Sequence, residues 1–342
     1  MKGSGGLFVI VNNAAARARE AWPRVREALT RAGVEFYAHE SLRPGDTERS
    51  TRAALAEGYT TVAVVGGDGT LSAAAAGYFR PCEELKEGEE PRPINAAAAL
   101  AVLPAGTGDD FARGLTGGRR EPLEAWLARL VEHCRSDEDK GAAVPRVAAR
   151  GVDVLAGSAA RPTEAGGAAS RRFICLNAAT LGIGAEVAAR VSSQLNWVRR
   201  FSGEARFAWA AVQSLAAWRA RRVRVEVDGR AWAECSTNLL AVVNGPYAGG
   251  GMNFSPEADI ADGLLDVLTV CGISRAGLVR ELARVHTGGH LANPKVRLTR
   301  GTRARVETLD GEAPLGVEAD GDVRGFTPVE LRVLPAALRV VF

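Results

Sequence analysis

The run Thr61-Val62-Ala63-Val64-Val65 passes without a linker into Gly66-Gly67-Asp68-Gly69-Thr70, and the small-residue stretch Leu71 to Ala76 follows at once. Few folds accept that order. A β-branched run of this length reads as a buried strand, three glycines let the backbone turn tightly, and the alanines start a helix. Strand, glycine loop and helix N-terminus together present backbone N–H groups to a phosphate. Asp68 would repel a phosphate there unless a divalent cation stands between them, and Mg²⁺ is held by one or two carboxylates with phosphate oxygens and water. An aspartate that merely caps the following helix fits the same letters. The loop lacks GxxxxGK[ST], so it is not a Walker P-loop.

The surrounding residues repeat this grammar. Leu7 to Val11 reads as a strand, Ala18 to Ala32 as a helix closed by Gly33, Val34 to Ala38 as a strand, and Thr47 to Glu57 as a helix closed by Gly58. Strand Ala98 to Leu103 runs into a second glycine loop, Gly106-Thr107-Gly108-Asp109-Asp110. Such alternation predicts a doubly wound α/β domain on a parallel sheet. Both loops then lie at the carboxyl ends of strands, where one nucleotide can meet them. Helix capping ahead of Phe111 is the plainer role for Thr107 and Asp110.

After Ser136 to Pro145 the pattern changes to short strands separated by turn dipeptides such as Asp228-Gly229 and Asp320-Gly321. The chain of 342 residues therefore divides into residues 1–135, an α/β domain, and 136–342, an antiparallel β-sandwich domain. The C-terminal tail is free to pack back on the first. Ala156 to Ser170 reads as a mobile loop, and Glu204 to Ala220 as a long helix within the β domain. Trp197 to Trp218 interleaves Phe201, Phe207 and Trp209 with Arg199, Arg200 and Arg206, as in a helix lying at a membrane surface; a helix packed on the β domain has the same pattern.

With 43 basic and 40 acidic residues there is no clustered basic footprint for nucleic acid. The five cysteines are scattered without a CxxC pair, which predicts neither a disulfide framework nor a zinc site and fits a reducing cytoplasm. The longest weakly polar stretch, Ile94 to Leu103, falls short of the ~20 residues a membrane span needs. Any membrane contact is then peripheral, and self-association into a homodimer stays open. His286 and His290 have i, i+4 spacing, but two glycines between them argue against a metal site.

The ordered set Gly66 to Thr70, Gly106 to Arg113, Asn177 with Gly182-Ile183-Gly184, Asn244 to Gly251, Asp262-Gly263-Leu264-Leu265-Asp266 and Asp320-Gly321-Asp322 resembles the diacylglycerol kinase catalytic family, shared by bacterial soluble lipid kinases, sphingosine kinases and ceramide kinases. The resemblance covers nearly the whole chain. It implies that ATP is held by Asn12, Asn13, Ser41, Gly66, Gly67, Asp68, Gly69, Thr70, Leu71, Ser72, Gly106, Thr107, Asp109 and Asp110, with Asp68 towards Mg²⁺. It also implies a structural Mg²⁺ at Asp262 with the carbonyls of Asp259 and Leu264, and a general base at Asp320 or its neighbour Asp322. Spacing alone reads Asp320 as a hairpin-turn aspartate, and Asp259, Asp262 and Asp266 as a hard-cation loop or solvated turn acids. Several residues depart from the family: Asp109 replaces an asparagine, Ser72 and Ala73 an asparagine and a glutamate, and Asp322 a glutamate.

The expected activity is ATP- and Mg²⁺-dependent phosphorylation of a neutral lipid, diacylglycerol first. A sphingoid base or ceramide is the alternative acceptor. A soluble acceptor such as NAD, and a catalytically weakened lipid-binding protein, are the competing functions. A cytoplasmic enzyme peripheral to the membrane follows from the first reading.

Overall fold

Apolar runs decide where the first sheet forms. In the computed structural model, which describes residues 6–86, 88–138, 147–162, 168–192, 213–214, 218–309 and 311–342, Leu7–Asn12 (β1), Thr61–Gly66 (β3) and Ala99–Pro104 (β4) lie almost wholly buried, as strands covered on both faces must. Phe36–Ser41 (β2) is more exposed and takes the edge. All pair in parallel, in the order β2, β1, β3, β4. Helices Ala16–Arg31 (α1), Asp46–Ala56 (α2), Asp68–Gly77 (α3), Asp110–Leu115 (α4) and Leu123–Glu138 (α5) connect or follow these strands. On α1 the buried Ala18, Val25 and Leu29 share one face.

The chain divides into two compact units. The first comprises Met1–Val154, Ile260–Gly263 and Leu334–Phe342. Its last strand is the C-terminal segment, whose Arg339, Val340 and Val341 pair in parallel with Ala99, Leu100 and Ala101 of β4. The second comprises Leu155–Asp259 and Leu264–Val333.

The second unit is antiparallel. Its strands are Arg150–Pro162 (β5, from Leu155), Ala168–Cys175 (β6), Ala178–Gly182 (β7), Arg221–Val227 (β8), Arg230–Val243 (β9), Tyr247–Ala248 (β10), Met252–Asn253 (β11), Leu265–Cys271 (β12), Val296–Gly301 (β13), Arg303–Thr308 (β14), Gly316–Ala319 (β15) and Asp322–Val341 (β16, to Val333). The long β9 pairs with β8 through its first half and with β12 and β7 through its second. β14 joins β8 to β16, and β15 joins β7 to β16. Inward residues of these strands, among them Val225, Leu240, Val267, Val306, Val317 and Leu331, form one core. The α/β and β-sandwich architectures expected from the sequence are both present.

Several local expectations change. Ala156 to Ser170 is not a loop throughout: Leu155 to Pro162 pairs antiparallel with Ala168 to Cys175. Its small residues are what such a ribbon needs, since a Cβ on Gly157 would come within 2.2 Å of the Phe173 ring. Two helices go beyond the sequence reading, Ile183–Ser192 (α6) and Arg275–Val285 (α7), the latter capped by Ser274, whose hydroxyl accepts from Gly277 N at 3.2 Å. Cys235 and Cys271 form a disulfide between β9 and β12, so the expectation of no disulfide is overturned. Their separation of 36 residues carries no local signal; only the register of the two strands brings them together. The helix expected over Glu204 to Ala220, and with it most of Trp197 to Trp218, lies outside the described residues.

Burial of the C-terminal strand gives a direct test. Leu338→Ala removes a side chain that is 1% exposed and should destabilise the first unit by about 2–5 kcal/mol. Denaturant titration followed by tryptophan fluorescence measures it; an unchanged midpoint would show that the tail adds nothing to that core.

Candidate active site

The two glycine loops of the first unit leave adjacent strands and meet backbone to backbone. A Cβ on Gly106 would lie 2.6 Å from the Gly67 Cα, and one on Gly67 would lie 3.0 Å from the Gly106 Cα. A side chain at Gly106 would force the loops apart, and one at Gly67 would need the second loop to give by a few tenths of an ångström. Ala105 N also donates to Gly66 O at 2.9 Å. Gly66 is held for a different reason: its Cβ would strike Thr70 at 2.7 Å. α3 starts at Asp68, earlier than the alanine run implies, so Asp68 occupies the first helical turn beside the uncapped N-terminus.

Several expected nucleotide residues converge on these loops. Asn12 Nδ2 donates to Thr70 Oγ1 at 2.7 Å, and Asp68 Oδ1 accepts from Phe111 N at 3.0 Å, which ties the first loop to α4 behind the second. Asp109, in the left-handed conformation at φ 49°, accepts from Gly106 N at 2.8 Å. Thr107 is exposed, whereas Ser72, Leu71 and Asp110 are buried, with Arg113 Nη1 4.0 Å from the Asp110 carboxylate. Ser41 and Asn13 make bonds within the fold. The buried Ser41 hydroxyl accepts from Thr47 Oγ1 at 2.9 Å, and Asn13 Nδ2 donates to Glu40 at 2.8 Å.

Two arginines at the second loop are absent from the sequence reading. Arg17 of α1 donates to Gly106 O at 2.7 Å, and Arg120 donates to the carbonyls of Thr107 and Gly108 at 3.0 and 3.1 Å. No local motif marks them, because tertiary folding alone brings them to the loop. Burial, reinforced by the neighbouring Asp68 charge, pushes the Asp109 carboxyl up despite the Gly106 amide and both guanidiniums. Two carboxylates in mutual repulsion beside a helix N-terminus are a donor set that fits Mg²⁺ between them and a phosphate.

The second unit supplies a different carboxylate cluster. Asp320 and Gly321 both have positive φ, 50° and 93°, and form the two-residue hairpin loop between β15 and β16. The Asp320 carboxylate accepts from Leu176 N at 2.6 Å, Asn177 N at 2.9 Å and Ala178 N at 3.2 Å. It pins the β6–β7 turn to the hairpin. Glu318, nearly buried, accepts from Thr180 Oγ1 and from Gly321 N, and burial pushes its carboxyl up to about 7. Asp322 differs from both: its side chain is 75% exposed, with Arg324 Nη2 at 3.3 Å.

Around the expected structural cation, Asp266 is withdrawn. It is buried, accepting from Ser255 Oγ at 2.6 Å and Arg300 Nε at 2.8 Å, so the reading of three acids round one turn is corrected. A bonded acid the sequence reading left out, Asp153, accepts from Gly263 N and Ala336 N, each at 2.7 Å, while its own N–H donates to Ile260 O. Asp262 thus sits in a turn fixed from below by a buried carboxylate. Among the described residues no group of three or more His, Cys, Asp or Glu side chains could hold a metal, so at Asp262 backbone carbonyls such as those of Asp259 and Leu264 would have to complete the shell.

Residues 6–140 match the diacylglycerol kinase catalytic domain, and residues 181–342 match the YegS C-terminal NAD kinase beta sandwich-like domain. A probable lipid kinase YegS-like protein of Pseudomonas aeruginosa is 31% identical over 92% of this chain and 86% of its own length. The chain belongs to the diacylglycerol kinase family. A diacylglycerol kinase of Mycobacterium tuberculosis is 27% identical over 86% of this chain and 81% of its own length. The crystal structure of a putative diacylglycerol kinase from Bacillus anthracis shares the fold, with a TM-score of 0.69 at 19% identity, covering 100% of this chain and 98% of that one. As a member of this family, the protein is a lipid kinase.

Asp109→Asn keeps the acceptor for Gly106 N and removes the charge. Because the folded carboxyl is pushed above its unfolded value, its ionisation costs stability at neutral pH and nothing once both states are protonated. Calorimetry should show a higher Tm for the variant at pH 7 and no difference near about pH 3. A lower Tm at pH 7 contradicts this account.

Proposed function

We propose that this lipid kinase transfers the γ-phosphoryl group of ATP to the primary hydroxyl of a neutral lipid, with diacylglycerol as the acceptor and phosphatidic acid as the product. The supporting observation is the surface beside Asp322. Val323 and Phe326 are large apolar residues left 40% and 38% exposed. Across the hairpin they pair with Glu318 and Gly316, two residues apart on β15, so a bulge at Arg324 turns both to one face. Asp322, paired with Ala319, stands exposed at the tip of the same hairpin, and an exposed carboxylate next to a strand with an open apolar face suits an alcohol carried on a lipid tail.

Asp322 is the proposed general base, and Asp320 the residue that builds its turn. A carboxylate engaged by three amides must give up part of that network to accept a proton; Asp322 has no such obligation. The acceptor O–H passes its proton to Asp322 as the O–Pγ bond forms, and the bridging O–Pγ bond breaks with its electron pair leaving on ADP. Most of the rate in such transfers comes from positioning and charge compensation. Here the glycine-loop amides and the N-terminus of α3 would orient the phosphates, with Arg17 and Arg120 holding the second loop in shape. Mg²⁺, held at Asp68, would supply electrostatic compensation for the transferring group. Supply of ATP puts the enzyme on the cytoplasmic side, peripheral to the membrane; among the described residues no helix is long and apolar enough to cross one.

Sphingoid bases and ceramides remain within the same chemistry. The charge at Asp109 favours one further reading, a weakened enzyme that binds lipid but little ATP; isothermal calorimetry with Mg²⁺-ATP separates the two.

Kinase assays on diacylglycerols, sphingoid bases and ceramides test the proposal. Asp322→Asn should lose about 10²–10⁴-fold in kcat with the Tm unchanged, and Asp322→Glu should retain activity. Asp320→Asn should instead lower the Tm, since it presents an amide group to backbone donors. Full activity in Asp322→Asn would eliminate it as the base, and inactivity on every lipid would remove the acceptor class.

A further inference from the structure

The apolar arc of α7 extends beyond the face that covers its own core. At 3.6 residues per turn, Leu278, Glu281 and Val285 fall on one face and are buried, with Leu278 and Val285 packing on a core that includes Leu268, Val270 and Val296. Beyond that face, where the helix turns to solvent, stand Leu282 and then Val279, 44% and 51% exposed, with Ala283 and Ala276 further round. A helix that only needed to cover its own core would be polar there.

Charge on this helix is arranged around that stripe. Arg275 lies on the stripe itself, one turn before Val279, with Nη2 donating to Trp218 O at 2.8 Å, and Arg280 and Arg284 border the stripe on its far side. The sole acid of the segment, Glu281, points inward with its side chain 5% exposed, and it is met by Arg280 at 3.4 Å, Arg284 at 3.3 Å and Asn293 Nδ2 at 2.9 Å. No carboxylate from α7 therefore faces solvent. Lys295 extends the basic rim: its Nζ donates to Gly272 O at 2.8 Å, just ahead of the helix.

We infer that the outward face of α7 docks on an anionic membrane surface, with Val279 and Leu282 entering the headgroup–acyl boundary and Arg275, Arg280 and Lys295 meeting lipid phosphates and carboxylates. The inference rests on the lipid-kinase reading, since a soluble enzyme has to reach an acceptor that stays in the bilayer. Exposed apolar residues rimmed by basic ones on a rigidly packed helix are the composition of an interfacial helix. A polar partner protein would leave the stripe uncompensated, and an acidic surface alone would not need Val279 and Leu282.

Sedimentation of the full chain with sucrose-loaded vesicles tests the inference without acceptor or ATP. Wild type should partition onto phosphatidylcholine vesicles containing about 30% phosphatidylserine and much less onto phosphatidylcholine alone. Val279→Asp with Leu282→Asp should cut partitioning about tenfold or more, and Arg275→Ala with Arg280→Ala should erase the preference for phosphatidylserine. Serine at positions 279 and 282 replaces aspartate should the first pair fail to fold by circular dichroism. Unchanged partitioning of the folded variants overturns the inference, as does a wild type that ignores vesicles. Conversion of a dimer to a monomer without altered partitioning also overturns it, and assigns the face to a second copy of the chain. Phosphorylation of a water-dispersed short-chain diacylglycerol is measured in parallel. Equal activity in wild type and variants leaves the kinase reading intact whatever the vesicles show, whereas inactivity of all of them removes that reading without touching the docking result.

Discussion

Strands β3 and β4 are neighbours in a parallel sheet, about 4.8 Å apart, so the loops leaving their carboxyl ends compete for the same space. Only the absence of two side chains, at Gly67 and Gly106, lets both loops remain there. From that contact the rest of the cradle follows. Asp68 reaches Phe111 N across the gap, Asp109 turns back onto Gly106, and Asn12 meets Thr70 from β1. A methyl group at Gly106 would push the loops apart and strain the bonds that cross between them. The positions are thus demanded by packing before any phosphate is considered.

Acidic residues do two distinct jobs in this protein. Asp153, Asp266 and Asp320 accept hydrogen bonds from backbone amides, a serine hydroxyl or an arginine, and each fixes a turn or strand junction. Hydrogen bonds to a charged acceptor are worth more than neutral ones, so a single carboxylate can hold segments distant in sequence. Asp262 and Asp322 are exposed, and Asp68 is partly exposed at the glycine loop while accepting from Phe111 N. The cation and proton-transfer proposals fall on these three.

Much of this was legible in the sequence, for physical reasons that differ by region. The β1, β3 and β4 strands announce themselves because burial on both faces requires unbroken apolar runs, and the glycine loops because steric exclusion leaves one residue type. Helix α7 is harder to read: Leu278 and Val285 mark its core face, but Leu282 and Val279 blur the periodicity by carrying the apolar arc on into solvent. The Ala156 to Ser170 ribbon reads as a loop because its own residues are small, and Phe173 and Ile174 on the partner strand supply its bulk. Arg17, Arg120 and Asp153 could not be found from spacing, because each acts on a segment placed beside it by tertiary folding. Asp320 is the opposite case. Its motif is conspicuous, yet the local grammar of a two-residue hairpin already explained an aspartate there.

The parallel pairing of Arg339–Val341 with Ala99–Ala101 carries a kinetic consequence. During synthesis β4 emerges with its outer edge bare, and its partner is translated only after the whole antiparallel unit has been synthesised. Parallel pairing across so long a separation is slow to form, and an uncovered apolar edge strand recruits other chains. Nascent and truncated forms should therefore depend on chaperones well after the nucleotide loops themselves have been made.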